Sequence, residues 1–192
     1  GVKIDGYTGS ALVDGEFSHQ VLNNTFGPKT NPNPYHAKGG SGIRIAKGSQ
    51  PERIPRWLVS NNLFLDMKNS YSPVMITPVT YSNFATENVC SNNMAVLASE
   101  GGSQSICSTH LSFVQSPVHV LETDSILGVP EASLELLSFD QSRYKIGSQS
   151  LAIGAASAAL APQMDKARTF RDKLKVAVGA YEPVSSAGKP NP

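Results

Sequence analysis

Residues that end or bend regular structure recur along this chain too often for a long element to form over most of it. Thirteen glycines and prolines fall between residues 6 and 55. Each frees or locks the backbone in a way that interrupts helices and central strands. Ser, Asn, Thr, Gly and Pro together make 74 of the 192 residues. The polar members of that set bond their own backbone and favour turns over helix interiors. Hydrophobic residues are still 40% of the chain, enough for the core of one ordinary domain. Such a chain is expected to have many turns, short strands and few long helices. A coiled coil, a helical bundle and a charged disordered chain are excluded.

Three parts follow from this. Residues 1–56 read as a long irregular N-terminal arm, in which only Ile43–Ala46 has the pattern of a strand. Residues 57–182 read as a β-rich domain with C-terminal helices, and residues 183–192 as a tail held by a neighbouring chain. Apolar runs predict strands over Leu58–Met67, broken at Asn61-Asn62, and over Val74–Phe84, Met94–Ser99, Ile106–Val114, Val118–Leu121, Ser133–Phe139 and Arg143–Ile146. Gly101-Gly102 signals a hairpin between two of them. The expected fold is therefore mainly β, an antiparallel sandwich or barrel-like sheet. Leu111, Phe113, Val118, Val120, Leu134 and Leu136 are its expected core. The alanine-rich stretch Leu151–Ala161 and the helical spacing of Met164, Ala167, Phe170 and Leu174 predict a C-terminal helical segment, with Gly179 as its stop. No internal repeat is evident.

The formal net charge is +1, but its layout is uneven. Residues 29–68 carry a net +5 and residues 143–192 another +5. Residues 69–142 hold seven acids and no Lys or Arg. Separate positive and negative regions attract copies of the same surface, or a complementary partner, in a salt-dependent way.

Motifs for chemistry are sparse. The four histidines, His19, His36, His110 and His119, form no metal-ligand spacing. His119 with Glu122 or Asp124 is the nearest approach to an acid–base pair. Lys38-Gly39-Gly40-Ser41-Gly42 has the lysine on the wrong side of the glycines for a phosphate loop. Asn23-Asn24-Thr25 matches a glycosylation sequon, a pattern short enough to arise by chance. Cys90 and Cys107 can form a disulfide or remain two buried thiols. If Glu100–Ser105 is a hairpin loop, Cys107 faces a residue near Leu97 and not Cys90, and a bridge needs Cys90 on a neighbouring strand or a bent extension. No metal or cofactor is expected. Ile146–Met164 is uncharged over 19 residues, but its serines, glutamines, Pro162 and weakly apolar alanines argue against a membrane span. Gly1 stands where a Met would start a chain, and no charged and apolar leader is recognisable.

The favoured expectation is a non-enzymatic structural or assembly subunit of a larger complex, such as a viral or phage particle or a secretion apparatus, in a virion or extracytoplasmic setting. Its partners are then copies of itself or other subunits. Contacts are expected through Arg44, Lys47, Arg53 and Arg56 of the arm, and through Lys166, Arg168, Arg171, Lys173 and Lys175 of the basic helix. Gly154 and Ala158 are expected to give the close helix packing that buries the interface. Two alternatives are a secreted or periplasmic hydrolase on a β scaffold and a nucleic-acid-binding protein using the basic C-terminal helix. Phe170 is the only ring near those bases, which leaves little for base stacking.

Overall fold

A computed structural model of the chain describes residues 2–5, 19–27, 42–46, 57–65, 73–76, 88–96, 105–109, 120–136 and 144–183. The organising unit is a two-residue polar turn. Asn23-Asn24, Asn61-Asn62, Asn92-Asn93 and Asp124-Ser125 recur at spacings of 38, 31 and 32 residues. The first residue of each pair has a left-handed φ, at 52°, 59°, 50° and 54° respectively. Asn and Asp are the non-glycine residues that tolerate this conformation best.

Each turn joins two short strands, and a third strand precedes them. The first round is β1 (Val2–Asp5), β2 (His19–Leu22) and β3 (Thr25–Phe26). The second is β4 (Ile43–Ala46), β5 (Trp57–Ser60) and β6 (Leu63–Phe64). The third is β7 (Val74–Ile76), β8 (Asn88–Ser91) and β9 (Met94–Ala95). The fourth is β10 (Cys107–Thr109), β11 (Val120–Thr123) and β12 (Ile126–Leu127). Among the described residues these twelve strands pair only in parallel, in three sheets of four: β1-β4-β7-β10, β2-β5-β8-β11 and β3-β6-β9-β12. The chain therefore winds as a four-rung parallel β-helix.

This overturns the antiparallel sandwich. Strands β9 and β10 belong to different sheets rather than to one hairpin, so the expected pairing of Cys107 with a residue near Leu97 has no basis. Strands β1 to β4 also place parts of residues 1–56 inside the solenoid, where an irregular arm was expected. The physical reason is that alternation along a short strand is the same in parallel and antiparallel sheets. Only the connections distinguish them, and here a coil with tight corners replaces both hairpins and crossover helices.

Side chains pointing into the coil stack in columns. Val21, Val59 and Cys90 stand in register on the second sheet, and Ile43, Val74 and Cys107 on the first. All six are buried and form one core with Trp57, Phe64, Ala95 and Ile106. Phe26 and Phe64, in register on the third sheet, stack with ring centres 4.9 Å apart and planes 8° from parallel. Of the residues expected in the core, Leu134 and Leu136 pack in a second cluster outside the coil. Leu111, Phe113 and Val118 lie outside the described residues, and of Val120 only the strand is described. Cys90 on the third rung and Cys107 on the fourth form a disulfide across the interior, with Cα atoms 6.5 Å apart. Changing both cysteines to alanine is expected to cost about 3 kcal/mol, the scale for a bridge closing a loop of this length. Denaturant melts of the wild type and the double variant check this, and equal midpoints would contradict it.

No α-helix occurs among the described residues. After β12 the chain turns back along the outer face of the third sheet. Val129 N–H donates to Ala95 O on the third rung, Asn61 Nδ2 on the second rung donates to Ser157 O, and Ala180 N–H donates to Thr25 Oγ1 on the first. Leu134, Ile146, Ala152, Ala177 and Val178 thereby cover Leu63, Leu65, Met94 and Val96. The alanine-rich stretch has helical propensity, but its amides are taken elsewhere. Gly154 and Ala156 N–H both donate to Val176 O, and Val178 N–H to Ala152 O. Gly154 has φ +76° and Arg168 +65°, which no continuous helix contains. Only the short 3₁₀ turns Glu131–Leu134 and Ala158–Leu160 remain. Gly179, expected as a helix stop, lies at φ +101° where a Cβ would come 2.7 Å from Thr25 Oγ1 and 3.1 Å from Leu63 Cβ. Only glycine lets the returning segment sit that close to the sheet.

Candidate association surfaces

The polar turns hold the rungs together. Asn62 Nδ2 donates to Val21 O at 2.8 Å, Ser60 O at 3.0 Å and Asn93 Oδ1 at 3.0 Å. Its Oδ1 accepts from Asn24 N–H at 3.0 Å. Asn93 Nδ2 donates to Val59 O at 3.0 Å, and Asn93 N–H to Ser125 Oγ at 3.2 Å. The ladder thus runs Asn24, Asn62, Asn93, Ser125 along one corner. Asn61 is clamped by the returning segment: Ser157 N–H donates to its Oδ1 at 2.8 Å, and its Nδ2 to Ser157 O at 2.9 Å. These buried amides are fully committed to structure. Asn23, the acceptor of the formal sequon, is itself buried in the first turn.

The ladder ends at the fourth rung. Strands β10, β11 and β12 are the last in their sheets, and among the described residues nothing pairs with their outer edges. Two large apolar side chains flank the last turn in the open. Leu121 on β11 is 60% exposed and Ile126 on β12 is 45% exposed. Ile126 continues a column whose earlier members, Leu63 and Met94, are covered by the returning segment. Residues 120–136 carry Glu122, Asp124, Glu131 and Glu135 and no base. Glu122 is held inward, its Oε1 accepting from Ile106 N–H at 2.9 Å. Asp124 and Glu131 are exposed.

A second surface lies on the returning segment between Met164 and Lys175. Met164 and Phe170 form an antiparallel bridge, and the loop they close is tied down by Asp165, whose Oδ1 accepts from Thr169 N–H and Oδ2 from Glu182 N–H. Arg171 is buried, contrary to a place on a solvent-facing basic helix. Its guanidinium pairs with Glu182 and donates to Ala177 O and Gly179 O. This fixed base leaves Lys166, Arg168, Lys173 and Lys175 exposed, together with Phe170 at 63% and Leu174 at 92%. Lys166 N–H donates to Ala180 O, and Ala180 N–H reaches Thr25 on the first rung. The basic loop is therefore anchored beside the first two rungs, through Ala180 on Thr25 and Gly179 N–H on Asn61 O, and not on β11 or β12.

Burial pushes the Glu182 carboxyl above its ordinary value, with Asp165 adding to the rise; the Ala177 N–H and the Arg171 guanidinium pull the other way. A carboxyl raised in the folded state favours folding most below its ordinary range, and that contribution fades as pH rises through the folded value. Glu182→Gln removes the titration. The stability of the wild type relative to Glu182→Gln is expected to fall as pH climbs from about 4 toward neutrality. Thermal melts at a series of pH values check this, and a constant or widening advantage for the wild type would contradict it.

The remaining candidates are placed as follows. Gly154 and Ala158 are exposed, Gly154 in a turn and Ala158 at the start of the short 3₁₀ turn Ala158–Leu160, and neither lies on an α-helix. Arg44 lies on β4, paired with Lys3 and Met75. Lys47, Arg53 and Arg56 lie outside the described residues, as do His36, His110, His119 and residues 38–41 of the glycine loop. The acid–base pair therefore has only its carboxylates in view, one bonded inward and one in a turn. His19 Nε2 is buried on the first rung with no hydrogen-bond partner among the described residues. Among the described residues no three His, Cys, Asp or Glu cluster as metal ligands, and no helix is long and apolar enough to cross a membrane. Comparison with family models, curated proteins and solved structures returns no match.

Sequence reading missed Leu121, Ile126, Phe170 and Leu174 as surface residues because large apolar side chains are assigned to cores by default. The signal for the first two was available. They flank the fourth polar turn, Asp124-Ser125, and so belong to the terminal copy of a repeat, where the outer faces have no further rung beside them.

Proposed function

We propose that the protein is a non-enzymatic structural subunit that works by associating with other protein subunits. The observation that carries this reading is the fourth rung: three strand edges end together beside exposed Leu121 and Ile126. An open sheet edge is a template for pairing, and proteins that stay single blunt such edges with charge, proline or a cap. Two bulky apolar residues beside the edge act in the opposite sense. The acidic stretch around them supplies the field that selects and orients a basic partner surface.

The test is sedimentation equilibrium over a wide concentration range at low and high salt. The expected result is a mass that rises with concentration and rises less steeply at high salt, since screening weakens the steering charges while apolar burial persists. A single protomer mass at every concentration and salt, with no partner, would overturn the reading.

A further inference from the structure

We infer that the partner is a second copy of this chain, docked head to tail. The loop from Met164 to Lys175 of one copy would seat on the fourth-rung end of the next. This rests on the association reading above and adds the partner and the geometry.

The two surfaces are complementary in charge. Residues 120–136 carry four acids and no base, with Asp124 and Glu131 exposed, whereas residues 164–175 carry five bases and two acids. Four of those bases are exposed, with Arg171 withdrawn to anchor the loop. Both surfaces also hold apolar residues in the open: Leu121 and Ile126 on one, Phe170 and Leu174 on the other. Apolar burial ringed by complementary charge is the composition of a specific protein contact.

Their positions decide the geometry. The basic loop is tied through Ala180 to Thr25 on the first rung, while Leu121 and Ile126 lie on the fourth. With strands about 4.8 Å apart, three steps separate these rungs by about 14 Å along the coil. Surfaces at opposite ends of one axis cannot satisfy each other within a two-fold dimer of a single contact. They form a heterologous contact that repeats in the same direction and stays open. In such a stack the first rung of one copy meets the fourth rung of the next, and the overhanging basic loop covers Ile126 much as the returning segment covers Met94 within a copy.

The experiment disables one surface at a time and then mixes the products. Leu174→Asp removes the loop's exposed apolar tip, and Ile126→Asp places a charge on the fourth rung. Each variant alone is expected to lose self-association by about thirtyfold, the effect of removing an interface anchor. An equimolar mixture is expected to form one-to-one pairs and nothing larger, because one variant keeps a working rung and the other a working loop. A mixture that stays monomeric while the wild type associates overturns the head-to-tail contact but leaves association standing. A wild type that never associates overturns both. Association of either variant at wild-type strength also overturns the contact. The charge pair Lys173→Glu with Lys175→Glu, matched against Glu131→Lys, repeats the test without touching an apolar residue, in case Ile126→Asp loosens the fourth rung. Weakening by the first and recovery on mixing with the second support the contact, and the absence of either overturns it.

Discussion

Replacing Asn62 by alanine is expected to destabilise the protein by about 4 kcal/mol, since each buried polar group left without a partner costs about 1–3 kcal/mol. Asn62 lies at the second of four corners and is fully buried. Its side chain serves Val21 O below, Asn93 Oδ1 above and Ser60 O on its own rung, and it accepts Asn24 N–H. Removal strands Val21 O in a buried corner and takes the acceptor from the part-buried Asn24 N–H. Asn24→Ala is the control. Asn24 is exposed and sits at the end of the ladder, so its loss is expected to cost about 1 kcal/mol or less. Chemical denaturation of both variants gives the comparison. Equal effects would mean that the ladder does not join the rungs.

Trp57→Ala is the second large effect, expected at about 4 kcal/mol, in the range for removing a large aromatic from a core. Trp57 is the chain's one tryptophan and the largest fully buried side chain described. It packs in the coil interior with Phe64, Val59 and Ile43. Rungs fixed by parallel pairing on three sides collapse little around a void, so the cavity term adds to the lost transfer energy. Leu174→Ala, at 92% exposure, is expected to change stability by less than about 0.5 kcal/mol. Melts followed by circular dichroism compare the two. A Trp57→Ala cost near that of Leu174→Ala would contradict the described core.

Several elements were legible without coordinates. Ile43–Ala46 appears with the bounds read from its β-branched pattern, and the Leu58–Met67 run does break at Asn61-Asn62. The direction of pairing was not legible, because local alternation carries no information on it. The repeat was hidden by loops of unequal length. Its signature is only two residues wide, and the turns share a backbone conformation more than a sequence: Asp124-Ser125 ends a series that begins with Asn-Asn. The C-terminal helices failed for a different reason. Alanine propensity is weak against backbone bonds offered by a neighbouring strand of coil, and Val176 O takes two amides that a helix would have used internally. Of the five bases grouped between Lys166 and Lys175, four are at the surface. Arg171 is buried, with Glu182, Ala177 O and Gly179 O taking its two terminal nitrogens, and nothing local to its sequence distinguishes it from its neighbours.

Head-to-tail docking makes the open-ended parallel coil stack along its own axis. Small-angle X-ray scattering of the wild-type chain over a concentration series reads this directly, because length and cross-section are separable. The result predicted is a particle whose length grows with concentration while its cross-section stays that of one coil. A widening cross-section, a dimer that grows no further, or a protomer that never lengthens would contradict it.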